Sequence, residues 1–269
     1  MKAAQIEKYG GPEVVEVRED VSVKEASKGH LLVKIADAGV NPVDWKVREG
    51  YLHQMVPLHF PVTLGGDFSG AVVDFGEDVE GFQKGDEVYG QASVLTGGSG
   101  TFAEFALADV RTIARKPKNI THREAGGLPL VGVSAFQALE EHMGLKKGQK
   151  ILMHGGGGGI GSIAIQLAKY LGAYVITTAS QEDEEFVREL GAEEWIDYKH
   201  QAFDERVVDV DAVFDTVGGP TYLKSYKVLK KGGIIVSMLE QPNEKLMQQY
   251  GVKAIGQFTR VTTEHLKKL

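Results

Sequence analysis

The chain of 269 residues contains no cysteine. That excludes disulfides, thiolate catalysis and every cysteine-containing zinc pattern, and it points to a reducing, cytoplasmic setting. No apolar run approaches the roughly 18 residues of a membrane span, and the opening "MKAAQIEKYGGPEVV" lacks the apolar core of a secretory signal, so no membrane partner is expected. Positive charge is also short. Thirty Lys and Arg against 37 Asp and Glu leave a net charge of −7, the wrong balance for a nucleic-acid surface, which must displace counterions from phosphates. The eight histidines fall into no metal-binding spacing.

What is abundant is glycine, 34 in all, and its densest run is "KILMHGGGGGIGSIAIQLAKYLGA", Lys150–Ala173. Gly156, Gly158 and Gly161 satisfy G-x-G-x-x-G directly after an apolar strand and at the opening of an amphipathic helix. In that context the first glycine allows a tight turn, the second lets backbone approach a pyrophosphate, and the third lets helix and sheet pack closely. The helix start, with Gly159 and Ile160, then offers its free N–H groups to the diphosphate of a dinucleotide. The surplus glycines leave several registers open.

The chain has two rhythms. Up to about residue 120, "HLLVKIADAGV", "FSGAVVDFG", "DEVYG" and "TFAEFALA" read as short alternating strands of a largely antiparallel β domain. From about residue 121, a helical stretch at 125–142 leads into strands at 150–154, 174–178, 194–196, 212–215, 234–238 and 252–256, alternating with helices. Between the first two, Ile160, Ile163, Ala164, Leu167 and Leu171 share a helix face. Strand, helix, strand repeated predicts a doubly wound parallel sheet, so the fold class is α/β with domains at 1–120 and 121–269.

A dinucleotide site of this kind usually places Asp or Glu at the end of the second strand to hold the ribose 2′-hydroxyl. Here that strand ends "TTASQ", with Glu182 and Asp183 beyond it. Ser180 can hydrogen-bond a 2′-phosphate that a carboxylate would repel, which favours NADP(H); Ser180 can also cap the next helix, and the two roles can coexist.

These segments, with "AGVNPVDWKVREG", "FPVTLGGDFSGAVVDFG", "LPLVGVSAFQAL", "GAEEWIDY" and "VFDTVGG", fall in one order over nearly the whole chain. The sequence resembles the zinc-free quinone reductase and enone reductase branch of the medium-chain dehydrogenase/reductase superfamily. The resemblance implies a GroES-like β domain, a Rossmann domain, NADPH as cofactor and usually a homodimer. It places Asn41 beside the nicotinamide, Ser134 near the cofactor's ribose or phosphates, and Tyr198, with Lys199, on the adenosine side. Tyr51 in "REGYLHQ" is the polar group expected nearest the substrate, as a hydrogen-bond or proton donor. Zinc members carry Cys where Asn41 stands and a His-Glu pair where Gly66 and Asp67 stand, and Asp44 alone cannot build a three-ligand site, so no metal is expected. Hydride transfer to a quinone or an α,β-unsaturated carbonyl is the implied reaction, since such acceptors delocalise the incoming charge without a Lewis acid. A nucleotide-binding redox sensor or structural partner without turnover is the alternative. Members usually continue past "RVTTEHLKKL" through segments that return to the first domain, and that return is expected to be missing here.

Overall fold

The computed structural model describes residues 1–269. Its contacts divide the chain into two units, Met1–Val133 with Val261–Leu269, and Ser134–Arg260.

The first unit is built on antiparallel sheets. A five-stranded sheet has the order β7-β3-β5-β6-β8, from β3 (His30–Gly39), β5 (Asp67–Phe75), β6 (Glu87–Gln91), β7 (Phe105–Asp109) and β8 (Ile113–Arg115). A three-stranded sheet, β2-β1-β4, combines β1 (Ala3–Ile6), β2 (Glu16–Arg18) and β4 (Val62–Thr63). Alternation sends Leu31, Val33, Phe68, Val72, Val88, Ala106 and Ala108 into one core, as the period of two requires. Helix α1 (Pro42–Arg48) starts at Asn41, with Pro42 at the first helical position, where its missing N–H costs nothing.

The helical stretch read at 125–142 is broken into α2 (His122–Gly127), α3 (Pro129–Phe136) and a π-helical turn over Gln137–His142. Pro129 marks the first break because it has no N–H with which to continue the backbone ladder of α2, although Leu128 before it stays helical. The division between units falls inside α3, later than the change of rhythm near residue 120, because Ala125 and Val133 pack with Tyr89 and Ala114 of the first unit.

Val261–Leu269 folds onto the first unit: Val261 and Leu266 are buried in the same cluster, and Tyr89 Oη donates to the Leu266 carbonyl at 2.5 Å. Thr263 Oγ1 donates to the carbonyls of Val110 and Ile113 at 2.9 and 2.8 Å.

The second unit carries a six-stranded parallel sheet, ordered β11-β10-β9-β12-β13-β14. The strands are β9 (Lys150–His154), β10 (Tyr174–Ala179), β11 (Glu194–Asp197), β12 (Val210–Asp215), β13 (Leu229–Ser237) and β14 (Lys253–Gly256). Helix α4 (Gly159–Tyr170) follows β9 and α5 (Glu184–Glu189) follows β10. The fully buried residues of α4 are Gly161, Ala164, Ile165 and Ala168, while Ile160, Ile163, Leu167 and Leu171 pack at the edge of the core. Three of these four are small, as the close approach of helix to sheet after the glycine loop requires. β9 lies between β10 and β12, so the strand order reverses there, and the crevice past its carboxyl end is where open α/β sheets bind ligands. No helix is long and apolar enough to cross a membrane.

Candidate functional sites in the two units

In the second unit, β9 runs into Gly155, whose φ of +79° only glycine adopts without strain. The loop is then pinned to its surroundings. Gly156 N–H donates to the Thr178 carbonyl at 2.9 Å, and Thr216 Oγ1 donates to the His154 carbonyl at 2.7 Å. A Cβ on Gly156 would lie 2.1 Å from Thr177 Oγ1, and one on Gly161 would lie 2.2 Å from the Gly155 carbonyl oxygen. Both glycines therefore answer to packing inside the protein.

Gly158 is different. Its φ of −82° and ψ of 169° suit any residue, it is exposed, and a Cβ there would have one neighbour within 4 Å, the Gly155 carbonyl oxygen at 3.3 Å. It is the N-cap of α4, and no side chain caps that helix, so the N–H groups of its first turn are left for an anion. A loop whose fold barely constrains residue 158, at a helix start with uncapped donors, fits a dinucleotide diphosphate.

Behind the loop, His154 is buried, with Nδ1 at 3.1 Å from Thr178 Oγ1 and Nε2 at 3.0 Å from Ser225 Oγ. Burial pushes the imidazole down to about 4 from 6.5, against a smaller upward pull from the Asp215 carboxylate. Between those values the unfolded chain takes up a proton that the folded chain refuses. Stability from this group is therefore complete above 6.5 and falls as the pH drops towards 4, by about 3 kcal/mol in all. His154→Gln keeps a hydrogen-bonding side chain without that titration. Denaturant unfolding near neutral pH and in mild acid will show a smaller acid loss for the variant than for the wild type; equal losses would show that His154 does not titrate this way.

At the ribose end Ser180 stands at the N-cap of the turn that follows β10. Ser180 is buried and its Oγ donates to Asp183 Oδ2 at 2.7 Å, because the 3₁₀ turn Gln181–Asp183 folds the carboxylate back over the strand end. Tyr198 is exposed, with its N–H on the Ala179 carbonyl at 3.4 Å, and Lys199 Nζ pairs with Glu182 at 3.3 Å. Ser134 is fully buried, its Oγ 2.7 Å from Thr259 Oγ1. Nothing in the sequence singles out Asp183 or His154. Asp183 reads there as one acid among several, and His154 as the polar end of an apolar strand.

In the first unit, Asp67 gathers a buried polar network. Its Oδ2 accepts from Asn41 Nδ2 at 3.0 Å and from the Leu130 N–H at 2.9 Å, and its Oδ1 accepts from Gln91 Nε2 at 2.8 Å. Asn41 N–H donates to Asp44 Oδ2 at 2.7 Å. Burial pushes Asp67 up to about 6, opposed by its hydrogen bonds to Gln91, Leu130 and Asn41, and pushes Asp44 up to about 6, opposed by the Asn41 N–H. Asp67 thus fixes the orientation of the Asn41 carboxamide. Tyr51 is exposed and packs edge-on to Trp45, with ring centroids 5.5 Å apart. No three His, Asp or Glu side chains converge in a metal-binding group.

Known proteins resemble this chain in sequence and fold. Residues 27–118 match the alcohol dehydrogenase GroES-like domain and residues 159–254 the zinc-binding dehydrogenase domain. The mitochondrial NAD(P)H oxidoreductase RTN4IP1 of Mus musculus is 37% identical over 251 residues, covering 86% of this chain and 63% of that protein. The chloroplastic NADPH-dependent alkenal/one oxidoreductase of Arabidopsis thaliana is 37% identical over 244 residues, covering 88% of this chain and 62% of that protein. The chain thus spans less than two thirds of the length of either. A solved quinone oxidoreductase from Coxiella burnetii is 36% identical and superposes with a TM-score of 0.90, covering 100% of this chain and 86% of that one. The two matched domains, the order of their sheets and these relatives together show that the chain belongs to the medium-chain dehydrogenase/reductase superfamily, as a protein of the quinone oxidoreductase type.

Proposed function

We propose that the chain is an NADPH-using, zinc-independent oxidoreductase that reduces quinones or α,β-unsaturated carbonyl compounds. The observation that carries the reading is the glycine loop between β9 and α4, where Gly158 and the uncapped start of α4 present open backbone at the switch point of a parallel sheet. The names of the two curated relatives, an NAD(P)H oxidoreductase and an NADPH-dependent alkenal/one oxidoreductase, support the cofactor and the acceptor class.

Bound NADPH would supply a hydride. The chain's own residues hold and orient. Gly158, Gly159 and Ile160 are proposed to receive the diphosphate, with Gly156 and Gly161 shaping the loop and Gly161 adding its N–H, Ser134 is proposed for the ribose or phosphates, and Ser180, Tyr198 and Lys199 are proposed for the adenosine side. Asn41, its amide fixed by Asp67, is the proposed nicotinamide contact, and Tyr51 the proposed donor to the acceptor's oxygen. Zinc independence is proposed from the residues at the family's zinc positions, where Asn41, Gly66 and Asp67 supply one carboxylate, already committed to three donors. Homodimerisation through the edge of the six-stranded sheet, where β11 and β14 are outermost, belongs to the same proposal.

The test is spectrophotometric NADPH consumption against a panel of quinones and a panel of enones, before and after dialysis with a chelator. Consumption that depends on the acceptor and survives chelation is expected. Loss of turnover on chelation, restored by zinc, would overturn zinc independence. Nucleotide binding without consumption by any acceptor would make the chain a nucleotide-binding protein without turnover.

A further inference from the structure

Asp183 occupies the N-cap position of α5, where an aspartate ordinarily accepts a hydrogen bond from the helix's own first turn. It does not do so here. Its carboxylate turns the other way, taking the Ser180 hydroxyl at 2.7 Å and lying over the glycine loop, so that a Cβ on Gly157 would meet Oδ2 at 2.7 Å and Cγ at 2.8 Å. An acid that forgoes the cap of its own helix and sits against the second strand's end and the phosphate loop stands where a ribose would be read.

We propose that Asp183 is a selectivity element that weakens the preference for a 2′-phosphate and admits NADH beside NADPH. This rests on the dinucleotide reading above. The chemistry follows from the donors and acceptors. With Oδ2 engaged by Ser180, Oδ1 remains as an acceptor for a ribose hydroxyl, which both donates and fits, whereas a 2′-phosphate brings like charge to the carboxylate. The cations nearby can offset that repulsion only by leaving carboxylates they already pair with. The Ser180 proton points to Asp183, Lys199 is paired with Glu182, and His200 is paired with Asp197 at 2.5 Å.

The experiment measures dissociation constants of NADPH and NADH, by nucleotide fluorescence, for the wild type, Asp183→Asn and Asp183→Ser. Competition by adenosine 2′,5′-bisphosphate against ADP gives the same comparison without the nicotinamide. The wild type is expected to bind NADPH and NADH within about tenfold of each other, and each variant to shift the ratio towards NADPH by roughly tenfold or more, the worth of a hydrogen bond to a charged group. Two variants are used so that a folding defect in one leaves the other to decide. An unchanged ratio with both nucleotides still binding would overturn this inference alone, as would a wild type that prefers NADPH by more than roughly a hundredfold. A wild type that binds neither nucleotide would overturn the dinucleotide reading and this inference with it.

Discussion

Gly158→Asp will leave the fold intact and remove nucleotide binding. The separation of the two effects is what makes the substitution informative. At φ −82° and ψ 169° an L-residue is unstrained, the position is exposed, and the nearest protein atom to a new Cβ is the Gly155 carbonyl oxygen at 3.3 Å, so little has to move. Aspartate is also among the best N-cap residues, and α4 has no side-chain cap of its own, so the helix gains a few tenths of a kcal/mol up to about 1. The same carboxylate takes the first-turn N–H groups that a diphosphate needs and adds a negative charge beside it. Losing two charge-assisted hydrogen bonds weakens binding by about 3 kcal/mol or more, roughly a hundredfold. Calorimetric titration with NADPH, paired with a melting curve, checks both halves. A wild-type dissociation constant in a variant of wild-type stability would show that the diphosphate does not rest on this loop.

How far the sequence disclosed this depends on whether a signal was local. β9 is legible because a central parallel strand is buried on both faces, and its apolar centre Ile151–Met153 stands just before the glycines. The glycine loop was legible because strand, glycines and helix are contiguous. β13 begins at Leu229 and ends at Ser237, earlier at both ends than the strand read at 234–238, because Lys230–Gly233 carry no apolar pattern and a register shift separates the pairs Val210–Leu229 and Ala212–Ile234. β1, β2 and β4 are short, and β1 pairs with Arg18 on one side and Thr63 on the other, partners that no local pattern connects. At the ribose end the missing signal is geometric. Asp183 lies three residues past Ser180 in sequence, and only the 3₁₀ turn shows that its carboxylate comes back to the strand end. The Asp67 network was invisible for the same kind of reason, since Asn41, Gln91 and Leu130 reach it from separate elements.

That network carries the second large effect. Asp67→Ala will destabilise the protein by about 3 to 5 kcal/mol, the usual cost of breaking a buried charged network by removing one partner. Three donors lose their acceptor at once: Asn41 Nδ2, Gln91 Nε2 and the Leu130 N–H. Asp67→Asn separates shape from charge. Its carbonyl oxygen can stand in for Oδ2 and keep Asn41 and Leu130, and its amide then faces Gln91, whose own amide satisfies it by rotating to present oxygen. The variant should therefore keep most of the stability and lose the pH dependence. The sign of that dependence follows from the shift. Asp67 is raised to about 6 from 3.8, so the folded chain holds a proton that the unfolded chain has released. Stability from this group is complete below 3.8 and is lost as the pH rises through 6, by about 3 kcal/mol, with the Asp44 charge adding to the upward pull. This window runs opposite to that of His154, so each variant must be compared with the wild type at the same pH. Denaturant unfolding in mild acid and near neutral pH should show Asp67→Asn gaining on the wild type as the pH rises, and Asp67→Ala below both. If Asp67→Ala is as stable as the wild type, the carboxylate does not organise the Asn41 amide, and the orientation of that amide must come from the backbone of α1 instead.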